Sequence, residues 1–365
     1  MSTQERLSGM ISTLTNKRIV VTGAAGFIGS QLADILCVEH LVDPLLLLDK
    51  FTYASEQTKL KGSITEFIPD KGNVRCVNIL RNSIKVCDIS QEESLNKTLS
   101  NFMPDVIFNL AAETHVDNSN TSPQEFYGTN VTGVFNILEY IRNYNPDCLL
   151  VQVSTDEVAG VTTPQQPLDY TSKVDPTSPY SATKAAAELL IESYCNVFGL
   201  NAVITRGCNT FGPGQHPEKL LPKTILSFLG SEPMKLYPPG TQKRQWIYVY
   251  DHAKAIINAA QTYLHYKITD ELPTIKNNIG SSIYETNIYM MYFIRDLMRD
   301  KGFKVPDQPY VLEGDRPCHD TSYYIASSTL GGTQVYQPDN YTLCNHLDSL
   351  IAWVVENETE LRKLL

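Results

Sequence analysis

Lys17-Arg18-Ile19-Val20-Val21-Thr22-Gly23-Ala24-Ala25-Gly26-Phe27-Ile28-Gly29 is the stretch that decides the fold. Its first half is a short β-branched run that reads as a buried strand. Glycines follow at once, and Ser30 to His40 reads as a helix. Strand, glycine turn and helix in that order aim a helix N-terminus at a pyrophosphate, because glycine lets the backbone turn tightly and approach closely. The spacing is Gly-x-x-Gly-x-x-Gly. Working outward, Leu45 to Leu48 forms the next strand and ends in Asp49. A carboxylate ~20 residues beyond the last glycine accepts hydrogen bonds from ribose hydroxyls and repels a 2′-phosphate. The expected cofactor is therefore NAD rather than NADP.

Further strands alternate with helices. Ile84 to Ile89 is one, and its Asp88 stands either to meet an adenine amino group or to cap the next helix. Val106 to Ala112 is the fourth strand, with Ala111 and Ala112 small enough for a cofactor to lie close. A polar loop, Glu113 to Ser119, follows and contains His115. Helices are predicted near Pro123–Tyr144 and Pro179–Phe198, and a sixth strand over Asn201 to Thr205, ending at Arg206. This alternation is the pattern of an α/β doubly wound parallel sheet. Thr52 to Ser83 fits it poorly, with one plausible strand at Val74 to Leu80. From Gly207 the texture turns to loops rich in Gly and Pro, such as Gly212-Pro213-Gly214-Gln215-His216-Pro217. A strand from Trp246 to Tyr250 runs into a helix near Asp251, Asn277-Asn278-Ile279-Gly280 ends a late strand, and His346 to Leu364 is an amphipathic helix. The expected organisation is a loose extension over residues 1–16, a nucleotide-binding domain over 17–207 to which 246–280 returns, and a smaller C-terminal substrate-binding domain from 208–245 and 281–365.

The chemistry concentrates in Leu150-Val151-Gln152-Val153-Ser154-Thr155-Asp156-Glu157. This apolar strand ends in a hydroxyl and adjacent carboxyls, and open α/β sheets bind ligands at that edge. Tyr180 and Lys184 lie four apart on a predicted helix and share a face. An ammonium beside a phenol favours the phenolate and yields a base for neutral pH. Arg244 and Arg316 are candidates for a second phosphate group, since guanidinium pairs with phosphate bidentately.

Composition narrows the classes. The 365 residues are 42% hydrophobic and 19% charged, with a formal net charge of −10. A broad nucleic-acid surface needs clustered Lys and Arg, so none is expected. The eight cysteines form no Cys-x-x-Cys pair and the seven histidines show no metal spacing, so the thiols read as reduced, the metal complement as none and the compartment as cytoplasmic. No signal peptide or membrane span is expected.

Together these stretches resemble the extended short-chain dehydrogenase/reductase superfamily, and within it the nucleotide-sugar 4,6-dehydratases. The narrower resemblance rests on Ser154-Thr155-Asp156-Glu157-Val158, with Ala111-Ala112-Glu113-Thr114-His115-Val116-Asp117, Pro217-Glu218-Lys219-Leu220-Leu221-Pro222 and Gly314-Asp315-Arg316-Pro317. It implies a Rossmann domain holding NAD through Gly23, Gly26, Phe27, Ile28, Gly29, Asp49, Asp88, Ile89, Ala111, Ala112, Tyr180 and Lys184. It implies a nucleotide sugar met by His115, Asn209, Glu218, Lys219, Leu220, Arg244, Asn278 and Arg316. It also implies a homodimer through the helices near Pro123–Tyr144 and Pro179–Phe198. The implied chemistry oxidises C4 with Tyr180 as base, removes the C5 proton with Glu157, expels the C6 hydroxyl with Asp156 as acid, and uses Thr155 to orient the C4 oxygen. Two departures stand out: Ala159 where the family has tyrosine, and Thr321-Ser322 where it carries an arginine. Thr205-Arg206-Gly207-Cys208-Asn209 favours UDP-glucose over dTDP-glucose as the expected substrate. A 4-epimerase or decarboxylase on the same scaffold, and a catalytically silent NAD-binding protein, are the alternatives.

Overall fold

The computed structural model describes residues 14–40, 42, 44–52, 55, 84–169, 172–268, 276–317, 320–326 and 340–365. Strand β1 (Ile19–Thr22) leads through the glycine turn into helix α1 (Phe27–Val38), and β2 (Leu45–Asp49) pairs beside it. Then come β3 (Ile84–Val86), α2 (Glu92–Phe102) and β4 (Val106–Asn109). Short helices α3 (Val116–Thr121) and α4 (Pro123–Tyr127) precede a π turn (Gly128–Thr132) and α5 (Gly133–Tyr144). Next come β5 (Leu149–Thr155), a 3₁₀ turn (Asp156–Ala159), α6 (Pro179–Phe198) and β6 (Asn201–Gly207). Later come α8 (Val249–Ile268) and β10 (Lys276–Ile279). The strand order is β10-β6-β5-β4-β1-β2-β3, all parallel. That is the doubly wound α/β order, whose ligand edge lies at the carboxyl ends of β1, β4 and β5.

Period-two side-chain alternation divides the core between the two faces of this sheet. Val21, Leu47, Phe108 and Val151 pack with Leu32 and Leu36 of α1 and Ile256 and Ile257 of α8. Val20, Leu46, Ile107 and Leu150 pack on the other face with Leu95 of α2, Ile137 of α5 and Ile191 of α6. A third apolar cluster gathers Phe211 of β7 (Asn209–Phe211), Ile225 of α7 (Leu220–Leu229), Trp246 of β9 (Lys243–Tyr248), Ile294 of α9 (Asn287–Asp300) and Leu347 of α10 (Asn340–Glu356). Strands β8 (Met234–Leu236), β11 (Tyr284–Thr286) and β12 (Tyr310–Leu312), with α11 (Glu358–Arg362), complete this region. No helix among the described residues is long and apolar enough to cross a membrane.

Several expectations shift. Leu14 is fully buried against the main core, so the loose extension stops before it; residues 1–13 lie outside the described set. The strand expected at Val74 to Leu80 also lies outside it. The helix expected over Pro123–Tyr144 is broken by the π turn, which buries Asn130. β9 starts earlier, at Lys243, and the last helix is split after Glu356.

Strand β1 and helix α1 meet with no room to spare. Gly23 has φ +64°, and a β carbon there would lie 2.7 Å from the Ala111 nitrogen. A β carbon on Gly29 would lie 2.1 Å from the Gly23 carbonyl oxygen. Backbone cannot yield as a side chain does, so Gly29→Ala should cost about 3 kcal/mol and release bound NAD. Gly128→Ala, with nothing within 4 Å of its β carbon, should be near neutral. Melting temperature and cofactor content check both; a wild-type Gly29→Ala protein would refute the crossing as the constraint.

Candidate active site

A cleft of about 910 Å³ runs along the carboxyl edge of the sheet, between it and the C-terminal region. A smaller pocket of about 80 Å³ adjoins it at the ends of β2 and β3. Asp49, Asp88, Ile89 and Ala111 line the small pocket; Phe27, Ile28, Gly29, Tyr180 and Lys184 line the cleft; Gly23, Gly26 and Ala112 line both. Asp49 is buried, and its two oxygens accept hydrogen bonds from the Ala25 and Phe51 amides, both at 2.8 Å. This ties the end of β2 to the glycine turn. Asp88 accepts from the Ser90 amide at 2.9 Å, a turn contact within the pocket wall. Gly23 and Gly26, which line both cavities, and the Asp49 carboxylate beside them in the small pocket fit a dinucleotide without a 2′-phosphate.

A polar ladder crosses three strands beneath the cofactor region. The Thr22 hydroxyl accepts from the Ala111 amide at 3.2 Å and donates to Asn109 Oδ1 at 2.5 Å. Asn109 Nδ2 donates to Gln152 Oε1 at 2.7 Å, and Gln152 Nε2 to the Val153 carbonyl at 3.0 Å. Lys184 Nζ donates to that same carbonyl at 2.6 Å.

The candidate catalytic side chains arise from local rules. The 3₁₀ turn after β5 begins with a cap: Thr155 Oγ1 accepts from the Glu157 amide at 3.3 Å and donates to Asp156 Oδ1 at 3.1 Å. Asp156 is 1% exposed, and its Oδ2 has no hydrogen-bond partner among the described residues. Burial, then the charge of Glu157, pushes its carboxyl up to about 7, against the pull of Arg244. Glu157, half-buried on the cleft wall, is also raised by burial, while Arg244, Arg316 and Lys219 draw it down. Helix α6 starts with a capping box between Ser178 and Ser181 and Pro179 at its first position, which fixes Tyr180 in the first turn. Tyr180 lies edge-on to Phe126 at 6.3 Å.

The electrostatics correct one expectation. Burial and the carboxylates of Glu157 and Asp156 hold the Tyr180 phenol above its ordinary value, opposed by the Thr155 hydroxyl. Lys184 does not reverse this, because its ammonium is spent on the Val153 carbonyl and burial draws it down to about 8.

Around the rest of the cleft stand His115, Asn209, Glu218, Lys219, Leu220, Arg244 and Arg316. Arg316 pairs with Asp117 at 2.9 Å, and Lys219 reaches the Thr114 carbonyl at 3.5 Å. Arg244 donates to the Asp320 carbonyl at 3.0 Å and lies 4.2 Å from the centre of the Tyr323 ring. Asn278 is buried behind the cleft, and its amide donates to the Leu168 carbonyl at 3.1 Å. Ala159 packs against the main core. Ser322 is held between the Thr162 carbonyl and the Tyr284 hydroxyl, each at 2.6 Å, and does not line the cleft.

Sequence reasoning passed over several residues. Asn130, in the π turn, bonds the Glu113 backbone in both directions and donates to Thr183 Oγ1 at 3.0 Å. Lys50 pairs with Glu113 at 2.8 Å. Asp320 accepts from Thr177 and Tyr323, both at 2.6 Å. The Ser178/Ser181 box was readable locally; these long-range partners had no local signal.

Strand order, glycine crossing and a Tyr-x-x-x-Lys helix facing the end of β5 define an extended short-chain dehydrogenase/reductase. The model of the NAD dependent epimerase/dehydratase family matches residues 19–269. The chain is 33% identical over 350 residues to dTDP-glucose 4,6-dehydratase of Mycolicibacterium smegmatis, covering 95% of this chain and 96% of that one. It is 31% identical over 356 residues to the Haemophilus influenzae dTDP-glucose 4,6-dehydratase, covering 93% and 98%. The crystal structure of DesIV, a dTDP-glucose 4,6-dehydratase from Streptomyces venezuelae with NAD and TYD bound, matches with TM-score 0.79 at 27% identity, covering 95% of this chain and 99% of that one. The chain belongs to the NAD dependent epimerase/dehydratase family, and within it to the nucleotide-sugar 4,6-dehydratases. The relatives named here are all dTDP-glucose enzymes and lend no support to the edge given to UDP-glucose. That edge rested mainly on the Arg206-Gly207 step, and Arg206 is fully buried in an ion pair and does not line the cleft.

Asp156 makes a pH-dependent demand on stability. Its folded carboxyl holds a proton more tightly than the unfolded one, so the penalty is absent below pH 3.8 and complete above about 7. A shift of this size corresponds to roughly 4 kcal/mol at most, shared with Glu157. Asp156→Asn should therefore melt higher than wild type at pH 8, with the gain vanishing near pH 4. A gain that grew toward acid would contradict the assignment.

Proposed function

We propose that this chain is a dTDP-glucose 4,6-dehydratase, converting dTDP-glucose to dTDP-4-keto-6-deoxyglucose with NAD held in the cleft. The observation that carries the reading is the pairing of Asp156, driven toward its neutral form, with Glu157 beside it and Tyr180 and Lys184 across the same cleft. Dehydration needs one carboxyl to give a proton and its neighbour to take one, and adjacent carboxyls in different surroundings divide those tasks.

In this reading Tyr180 accepts the proton of the sugar C4 hydroxyl, with Thr155 orienting that oxygen. NAD, held by the glycine turn and Asp49, would supply a hydride acceptor for C4 and donor for C6 and would bring positive charge into the cleft. That charge would oppose the burial that holds the phenol up, which the Lys184 ammonium alone does not offset. The C4 ketone acidifies the C5 hydrogen, which Glu157 removes. Asp156 gives its proton to the C6 oxygen, which leaves as water, and Glu157 returns its proton to C5 as the hydride reaches C6, so that one water is the whole loss. Arg244, Arg316 and Lys219 neutralise the diphosphate. Support for a homodimer comes from apolar side chains exposed on two neighbouring helices: Phe135 on α5, and Leu189, Val197 and Phe198 on α6. The free thiols of Cys37, Cys87, Cys148, Cys195, Cys208 and Cys344 are in keeping with a reducing cytoplasm.

Purified protein given dTDP-glucose should release a product lighter by one water, with the alkaline absorbance of a keto sugar. Tyr180→Phe should lower kcat by about 10²-fold or more. Glu157→Gln should oxidise C4 but stall before water loss, leaving reduced nicotinamide. A product of unchanged mass with inverted C4 would mean an epimerase, and bound NAD without turnover a silent protein.

A further inference from the structure

Directly beneath the catalytic groups lies an ion pair shut away from water. Arg206 on β6 is 0% exposed and Glu188 on α6 is 1% exposed. Arg206 Nε donates to both Glu188 oxygens at 3.1 Å, and its terminal nitrogen to Oε2 at 2.6 Å. A third donor comes from the adjacent strand: Ser154 Oγ reaches Glu188 Oε1 at 2.5 Å. Ser154 immediately precedes Thr155, Asp156 and Glu157. Glu188 stands one helical turn after Lys184 and two after Tyr180, on the same face.

Burying such a pair is costly, and apolar residues of similar volume often do as well or better for stability alone. Its position supplies a reason for it. The Lys184 ammonium is buried and donates to a neutral carbonyl, that of Val153. We propose that Glu188, clamped by Arg206 and Ser154, is a positioning residue: it keeps the Lys184 ammonium charged and locks helix α6 to the catalytic end of β5. The inference rests on the dehydratase reading and extends it to residues that touch neither sugar nor cofactor.

The surrounding electrostatics agree. Burial draws Lys184 down, and Glu188 is the group that opposes it. The other charged groups on α6 and on elements packed against it face elsewhere, and Tyr194 of α6 donates to Glu139. Tyr180, Asp156 and Glu157 face the cleft. Asp117 of α3 pairs with Arg316, Glu139 and Arg142 of α5 pair with each other, and Glu192 of α6 pairs with Lys276. Glu125 of α4 is exposed.

The test is Glu188→Gln with Arg206→Met, which removes both charges and keeps an acceptor for Ser154. The double variant should fold and retain NAD, with KM for dTDP-glucose within about twofold of wild type. Taking an anion from beside an ammonium makes that ammonium lose its proton at lower pH. The alkaline limb of the kcat profile should therefore move down by about one pH unit. The titration of Lys184, read by NMR of ε-¹³C-lysine and assigned with Lys184→Met, should move equally. Glu188→Asp, which keeps the charge, should restore both. Ser154→Ala keeps the ion pair and folds in any case; it should lower kcat several-fold at unchanged KM. An unmoved Lys184 titration, with only the melting temperature altered, would overturn the charge-holding role, and a wild-type kcat in Ser154→Ala would overturn the positioning role. If wild-type protein fails to dehydrate dTDP-glucose, the functional reading falls, while the Lys184 titration still decides this one.

Discussion

The carbonyl oxygen of Val153 joins the two halves of the catalytic apparatus. It takes the ammonium of Lys184 from helix α6 and the amide of Gln152 from its own strand. Gln152 in turn ends a ladder that runs through Asn109 to Thr22 and the Ala111 amide. The register of β1, β4 and β5, the seat of the cofactor and the placing of the Tyr180 helix are thus tied through one acceptor. Buried polar groups cost free energy unless paired, so this ladder holds only in the native strand order.

Above that carbonyl the constraint is electrostatic. Two carboxyls on consecutive residues, one wholly buried, repel when both are charged, and burial already disfavours the anion. Three cations, Arg244, Arg316 and Lys219, stand on the side of Glu157, while Arg244 alone acts on Asp156. The asymmetry sets the surroundings of the two carboxyls apart without any difference in chain chemistry. Asp156 Oδ2 has no hydrogen-bond partner among the described residues.

What was readable in the sequence is what local physics decides. Ile19–Thr22, the glycine turn and Leu45–Asp49 carry strand, crossing and acceptor within one segment, and the structure keeps their order. The acid pair at the end of β5 and Tyr180–Lys184 at the head of α6 were readable for the same reason. Arg206 was weighed as part of a stretch favouring UDP-glucose, whereas Glu188, 18 residues away, claims its guanidinium in the core. Asn278 was turned from the cleft by the Leu168 carbonyl, 110 residues off. The π turn that aims Asn130 at Glu113 and Thr183 has no composition of its own. The departure at Ser322 proved to be packing, since its hydroxyl is taken by Thr162 and Tyr284.

Ser322 and Tyr324 grip Thr162 across 160 and 162 residues of chain, and the same short segment carries Asp320 and Tyr323 to the cleft. Such contacts close late, because the ends of a long loop must first be brought together. On the ribosome, strands β1 to β6 emerge well before this segment. The dinucleotide side of the cleft is thus largely assembled while the wall opposite it is still being made. The order of translation itself favours loading the resident cofactor before a sugar nucleotide has anywhere to bind.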